Sequence, residues 1–225
     1  KYVIPDGSTP SNWKSENYND GSWDSGRSGF GYGDGDDETK IPAGTLSLFI
    51  RKTFQLNDLG NVESMILDVD YDDAFVAYVN GIEVGRRNIG GNPPLYNSVP
   101  YTDHESAIYR NEMPDRVTIT SLDGIVNSGE NVFALQAHNI SGTSSDFTII
   151  PFLSVSLKND DPDLGVTPPD LLNLNNLSLH TNFKISSAGE NISLYDPSGN
   201  KISEMNVMGL PADISIGISD NNDVV

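Results

Sequence analysis

The stretch Ala74-Phe75-Val76-Ala77-Tyr78-Val79-Asn80-Gly81-Ile82-Glu83-Val84 decides the fold. Its first arm is apolar or aromatic throughout, and it runs into Asn-Gly. Both of those residues tolerate the positive φ that a type I′ turn demands, so the stretch predicts a β-hairpin. In the first arm Phe75, Ala77 and Val79 share one face, and Val76, Tyr78 and Asn80 share the other. Working outward, the same period of two recurs. Leu48, Ile50, Phe54 and Leu56 line one face of Leu48–Leu56, with Arg51, Thr53 and Gln55 opposite. Met65–Asp70 alternates likewise, and further strands are predicted at Val117–Thr120, Val132–His138 and Leu153–Leu157. No window of comparable length carries a helical period, so the fold class is all-β.

Composition agrees. Among 225 residues, Gly (21) and Pro (13) are generous and hydrophobic content is 36%, which favours short strands joined by many turns. No apolar run approaches the roughly 18 residues that a membrane helix needs, so no membrane insertion is expected. The 32 acidic and 13 basic residues give a net charge of −19. A chain so acidic repels phosphate backbones, which excludes nucleic acid as an expected partner. It suits a neutral ligand, a divalent cation or a salty medium, and equally serves plain solubility. Cysteine is absent, so disulfides, thiolate zinc sites and cysteine nucleophiles are excluded. The chain opens at Lys1 without Met, as expected of a processed or excised chain.

Between residues 158 and 171 the texture changes to Lys-Asn-Asp-Asp-Pro-Asp-Leu-Gly-Val-Thr-Pro-Pro-Asp, which reads as a linker. Residues 1–157 then form a first domain and residues 172–225 a second. In the second, strands are predicted at Asn182–Ser186, Asn191–Tyr195 and Lys201–Met205, the last two joined by a tight Asp196-Pro197-Ser198-Gly199 turn. This unit is short and is expected to be incomplete, finished by sequence outside the chain.

Several stretches of the first domain carry a resemblance. They are Trp23-Asp24-Ser25-Gly26, Gly29-Phe30-Gly31-Tyr32-Gly33-Asp34-Gly35-Asp36, Phe49-Ile50-Arg51-Lys52-Thr53-Phe54, Asp72-Asp73 leading into Asn80-Gly81, and Ala137-His138-Asn139 with Ser144-Ser145-Asp146. Together, over residues 1–157, they resemble the galactose-binding-like jelly-roll modules of secreted bacterial multidomain proteins. The resemblance implies a jelly-roll β-sandwich carried as an accessory module, secreted or at the cell surface, beside other domains of the same polypeptide. Its expected ligand is a poly- or oligosaccharide. The alternative is a structural spacer or adhesion module with no small ligand. Residues 172–219, through Leu179–Ser186, Gly189-Glu190 and Leu194-Tyr195-Asp196, resemble a lamin-tail domain, which implies a smaller, incomplete immunoglobulin-like β-sandwich.

Catalytic signals are missing. There is no Gly-x-Ser-x-Gly elbow, no His-Glu-x-x-His helix, no phosphate loop, and no strand–helix setting for Gly29-Phe30-Gly31, which reads as a loop. The chain is therefore expected to be non-catalytic.

Sugar sites place a flat ring under the C–H face of a pyranose and surround it with carboxylates, amides and guanidinium groups. Trp13, Tyr32, Tyr71 and Tyr78 are the candidate rings, and Asp72, Arg86 and Asn88 the candidate polar contacts. Trp13, flanked by Ser11, Asn12 and Lys14, is expected to be half exposed. Trp23 is expected in the core, and Tyr78 is open to either reading.

Asp34-Gly35-Asp36-Asp37-Glu38 crowds four carboxylates onto a flexible loop, and calcium takes six to eight hard oxygen ligands. Asp34, Asp36, Asp37 and Glu38 are the candidate ligands of a structural Ca2+. In a second acidic cluster, Asp68, Asp70 and Asp72 would share a strand face, where they repel unless a cation or guanidinium sits among them. His138 and Asp146 are expected to fix a loop, the Asp accepting backbone donors and the His bonded across it. Asn139, Asn176 and Asn191 begin glycosylation sequons, which matter only in a eukaryotic secretory host.

Overall fold

The computed structural model describes residues 1–35, 37–159, 172, 188–196 and 198–208. The chain divides into two compact units, Lys1–Asn175 and Asn176–Val225. The described strands of the first are β1 (Tyr2–Val3), β2 (Phe30–Tyr32), β3 (Thr39–Lys40), β4 (Ser47–Leu56), β5 (Val62–Asp72), β6 (Ala74–Val79), β7 (Ile82–Arg87), β8 (Asp115–Ile119), β9 (Gly129–His138) and β10 (Phe147–Leu157). They form two five-stranded sheets, ordered β1-β4-β9-β6-β7 and β3-β2-β10-β5-β8, antiparallel except for the β2–β3 pair. The described residues of this unit hold no α-helix, and their short helical turns at Leu59–Asn61 and Ile108–Arg110 are 3-10. The fold is an all-β sandwich.

The hairpin forms as read. Val79 pairs with Ile82, with Asn80 at φ 51° and Gly81 at φ 84°. The Asn80 amide also ties the turn inward, donating to the Ile125 carbonyl (2.9 Å) and to Asn131 Oδ1 (2.8 Å). The alternation is realised too. Leu48, Ile50, Phe75, Ala77, Val79, Leu135 and Ala137 meet Met65, Leu67, Val69, Phe147 and Ile149 in the core between the sheets.

The opposite face of the first sheet is buried as well. Phe49, Val76, Tyr78 and Ala134 pack under Trp13, Trp23 and Ile89, so β6 is buried at every position. Covering both faces explains why this arm is apolar without a break. Arg51 holds the N-terminal cover down. Its guanidinium, almost wholly buried, bonds the carbonyls of Trp13, Ser15 (3.0 Å) and Tyr18 (3.4 Å) and pairs with Asp20 (2.9 Å).

Two local expectations change. Gly29-Phe30-Gly31, read as loop, runs into a strand, Phe30–Tyr32, that pairs with Phe147–Ile149, and Gly31 is forced by the close approach of β10. A Cβ at Gly31 would stand 2.0 Å from the Phe147 carbonyl oxygen. Strand β10 starts six residues earlier than the expected Leu153. Pro151 disguised it, yet β2 has already ended there, so the missing N–H breaks no ladder on that side.

Leu172, expected in the second unit, is fully buried in the first, and its carbonyl accepts from Arg116 Nη2 (2.7 Å). Lys158 and Asn159 bond to Asn61, and the rest of the expected linker, 160–171, lies outside the described residues. In the second unit, β11 (Gly189–Tyr195) and β12 (Lys201–Met208) form a hairpin. The Asp196 carboxylate accepts from the backbone N–H of Ser198 and Asn200. The strand expected at Asn182–Ser186 lies outside the described residues.

Candidate functional site

At the end of the sandwich where β5 turns into β6, three loops are drawn together by buried carboxylates. Asp73 Oδ1 accepts from the His104 N–H (2.7 Å), and Oδ2 accepts from the Ile140 N–H (2.6 Å). Asp70 accepts from the N–H groups of Ala107 and Ile108 (3.0 Å), and burial raises its carboxyl above the usual range. His104 stacks on Tyr71 and bonds its carbonyl through Nδ1 (3.1 Å). Asn139 closes the third loop, donating to Tyr32 Oη (3.1 Å) and to the Asp146 carbonyl (3.0 Å).

These clamps bring Asp72, Glu105 and Asp146 into one group, with a carboxylate oxygen of each within 4.8 Å of the others. It is the one such group among the described residues. Asp72 is 5% exposed. Burial first, then the Asp73, Asp146 and Glu105 charges, push its carboxyl up to about 8. Asp34 reaches the edge of this region, accepting from Thr148 Oγ1 (2.8 Å), and Thr148 is the strand partner of Asp72.

A second feature lies on the loop that leads into Glu105. Asn88, at φ 59°, donates to the carbonyls of Asp73 (3.0 Å) and Thr102 (2.5 Å) and accepts from Thr102 Oγ1 (3.0 Å). The backbone N–H of Tyr101 donates to the Asn88 carbonyl (2.9 Å). The Tyr101 side chain is 72% exposed, and its hydroxyl rests against Gly90, where a Cβ would stand 2.3 Å from it. Tyr109, on the far side of the clamped segment, is half exposed but carries the Arg110 guanidinium over its ring at 5.3 Å.

All four of the expected ring platforms are inside. Trp13 is 5% exposed rather than half exposed, stacked on Phe49 at 4.2 Å between ring centroids. Its polar neighbours form a turn, and the indole points the other way, onto the sheet. Trp23 is in the same layer, as expected. Tyr78 is buried beside Trp13, and burial pushes its hydroxyl up to about 12. Tyr32 stacks on Phe147, and Tyr71 packs edge-on to Phe75 with its hydroxyl donating to Asp115 Oδ2 (3.2 Å). Arg86 pairs with Glu83 (2.5 Å) and donates to the carbonyls of Ile89 and Gly91, so its cation is spent locally. Asn88 positions a loop.

Among the expected calcium ligands, Asp34, Asp37 and Glu38 do not converge. Asp37 is buried against the backbone of Gly31, whereas Glu38 is exposed with Arg27 at 3.8 Å. Asp36 lies outside the described residues. In the second acidic cluster, Asp68 has the guanidinium that its burial required, Arg116 Nε at 2.7 Å. The loop-fixing roles are also redistributed. His138 Nδ1 bonds the Ser98 carbonyl (2.9 Å), but the carboxylate that accepts the Ile140 N–H is Asp73 rather than Asp146. Glu105 and Tyr101 carried no local motif. The adjacency of Asp72-Asp73 to a buried strand was the one signal that pointed here.

No protein-family model matches the chain, and no curated protein matches it in sequence. Solved structures do show partial likenesses. An α-L-rhamnosidase from Streptomyces avermitilis, solved with L-rhamnose, is 22% identical over 52% of this chain, with a TM-score of 0.36. An α-L-rhamnosidase from Aspergillus terreus is 15% identical over 53%, at 0.33. A β-glycosidase from Bacteroides vulgatus is 15% identical over 69%, at 0.35. The matched parts are 9%, 13% and 19% of those chains. At these scores the likenesses assign neither a family nor a function.

Proposed function

We propose that the first unit is a non-catalytic carbohydrate-binding accessory module of a larger extracellular protein. The observation that carries this reading is Tyr101: an exposed ring, fixed against Gly90 and Asn88, on the loop that runs into the carboxylates of Glu105, Asp72 and Asp146. A flat exposed ring offers its face to the C–H side of a pyranose. The exposed carboxylate of Glu105, on the same loop, accepts hydrogen bonds from hydroxyls with the charge assistance that makes such bonds strong. The non-catalytic part is supported by the sequence, which carries no nucleophile elbow, zinc helix or phosphate loop. Neighbouring domains of the same polypeptide are the expected partners, and secretion or surface display the location.

The test is affinity electrophoresis of the full chain through gels containing neutral and acidic polysaccharides, with and without calcium. Retardation by at least one polysaccharide supports the reading. Unaltered migration in all of them leaves the structural spacer in its place, a reading favoured by the burial of Trp13, Tyr32, Tyr71 and Tyr78.

A further inference from the structure

A cleft of about 320 Å³ opens in the first unit between the N-terminal segment, the turn that leads into β4 and the segment that carries Tyr96. Ile4, Pro5, Pro42, Leu46 and the Tyr96 ring wall it, and Ser47 lies among them. Each wall is fixed from behind. The turn is tied by Thr45, whose N–H (3.3 Å) and hydroxyl (2.7 Å) both donate to the Pro42 carbonyl. The Leu46 carbonyl accepts from the Asn139 N–H (2.9 Å). Strand β9 anchors the Tyr96 segment, through Gln136 Nε2 on the Pro94 carbonyl (3.1 Å) and His138 Nδ1 on that of Ser98. Gly7 lies against the Tyr96 ring so closely that a Cβ there would stand 2.9 Å from Cε1. The cleft is therefore preformed, as ligand sites usually are.

No charged side chain lines it, although the chain carries 32 acids and 13 bases. Ile4 and Leu46 leave apolar surface exposed at its rim. Ser47 is the exception in chemistry. It is 2% exposed, on the strand face it shares with Phe49 and Arg51, yet its hydroxyl bonds no group among the described residues. The Tyr78 hydroxyl and His138 Nε2 are also without hydrogen-bond partners, but they are sealed in protein, whereas the Ser47 hydroxyl opens to the cleft. A polar atom withdrawn from water without a partner is costly, and a ligand that bonds it removes that cost. The Thr45 hydroxyl is already spent, so the side chains offer a ligand the hydroxyls of Ser47 and Tyr96 alone.

These limits choose the occupant. An ionised group finds no counter-charge on the walls. The hydroxyl-bearing edge of a pyranose would lose several bonds to water and regain few. An acetyl group matches the cleft: it is neutral, its methyl is apolar, and its carbonyl asks for one or two donors. We propose that the cleft binds the acetyl group of an acetylated glycan. The Ser47 hydroxyl donates to the acetyl carbonyl, and the methyl packs on Ile4, Pro42 and Leu46. The inference rests on the carbohydrate-binding reading and adds a chemical class of sugar to it. N-acetyl and O-acetyl groups share this chemistry.

The experiment is saturation-transfer NMR on the full chain with methyl N-acetyl-β-glucosaminide, methyl 6-O-acetyl-β-glucoside and methyl β-glucoside. The expected result is saturation at the acetyl methyl of at least one of the acetylated pair, and none from the plain glucoside. Whichever of the pair responds identifies the linkage. Titration of that glycoside should give roughly tenfold weaker affinity for Ser47→Ala, the loss of one hydrogen bond. Its thermal midpoint should not fall, because the deleted hydroxyl bonds nothing in the protein. Leu46→Asp, at an exposed rim position, should weaken binding at least as much, and it keeps the proposal testable if Ser47→Ala does not fold. Saturation from neither acetylated glycoside, equal saturation from the plain one, or parental affinity in both variants overturns the proposal. Polysaccharide retardation alongside any of those three results leaves the carbohydrate-binding reading standing, so the two fail separately.

Discussion

The imidazole of His104 lies flat on the ring of Tyr71, centroids 4.1 Å apart and planes 4° from parallel. This contact, with the His104 N–H on Asp73, seats the segment that carries Glu105 at the end of β5. Asp73 is the central clamp, since its two oxygens serve N–H groups from two different loops. Asp73→Ala leaves both donors without a partner in a buried setting, at a cost of about 2–4 kcal/mol. Urea unfolding monitored by tryptophan fluorescence checks this. A loss below 1 kcal/mol would show that the loops stay in place without the clamp.

Trp13 is structural. Its ring stacks on Phe49 and meets Trp23 and Tyr78, so Trp13→Ala opens a cavity over the first sheet. The expected destabilisation is about 3–5 kcal/mol, read as a lower midpoint in urea. A variant of full stability with weakened glycan binding would instead make Trp13 a platform.

Arg51 holds the same cover by its guanidinium alone. Arg51→Ala strands Asp20 and three carbonyls, and the residues around Trp13 should lift from the sheet. The expected loss is about 3–5 kcal/mol. A red shift of tryptophan emission before global unfolding would report it, and emission that moves only with the main transition would count against it.

His138 gives the fold an acid limit. Burial lowers its imidazole from the ordinary 6.5 to about 4, while its Nδ1–H donates to Ser98. Its other ring nitrogen has no hydrogen-bond partner among the described residues. Between those two values the unfolded chain binds a proton that the folded one refuses, so stability falls as pH drops from 6.5 towards 4. The full effect is about 3 kcal/mol. His138→Gln should flatten that part of the pH–stability curve, and an unchanged slope would assign it to other groups.

The sandwich was legible because its strands obey a period of two and its hairpin turn is chemically explicit at Asn80-Gly81. What misled was local context. Ser11, Asn12 and Lys14 advertise a surface, but they are turn residues whose ring neighbour points inward. Gly31 looked like loop because the sequence does not announce that β10 passes close enough to forbid a Cβ. The site was harder still. Asp72, Glu105 and Asp146 are separated by 33 and 41 residues in the sequence, and backbone clamps, not spacing, bring them together. The Asp34–Glu38 run drew attention by density alone, although charge density on a loop says nothing about convergence.

The central claim is that this loop end binds glycan through Tyr101. Its most direct measurement is calorimetric titration of the polysaccharide that retards the parent chain, against the parent and against Tyr101→Ala. The account predicts at least a tenfold weaker Kd for Tyr101→Ala, about 1.4 kcal/mol, with an unchanged thermal midpoint. Equal affinity in the two proteins would contradict it.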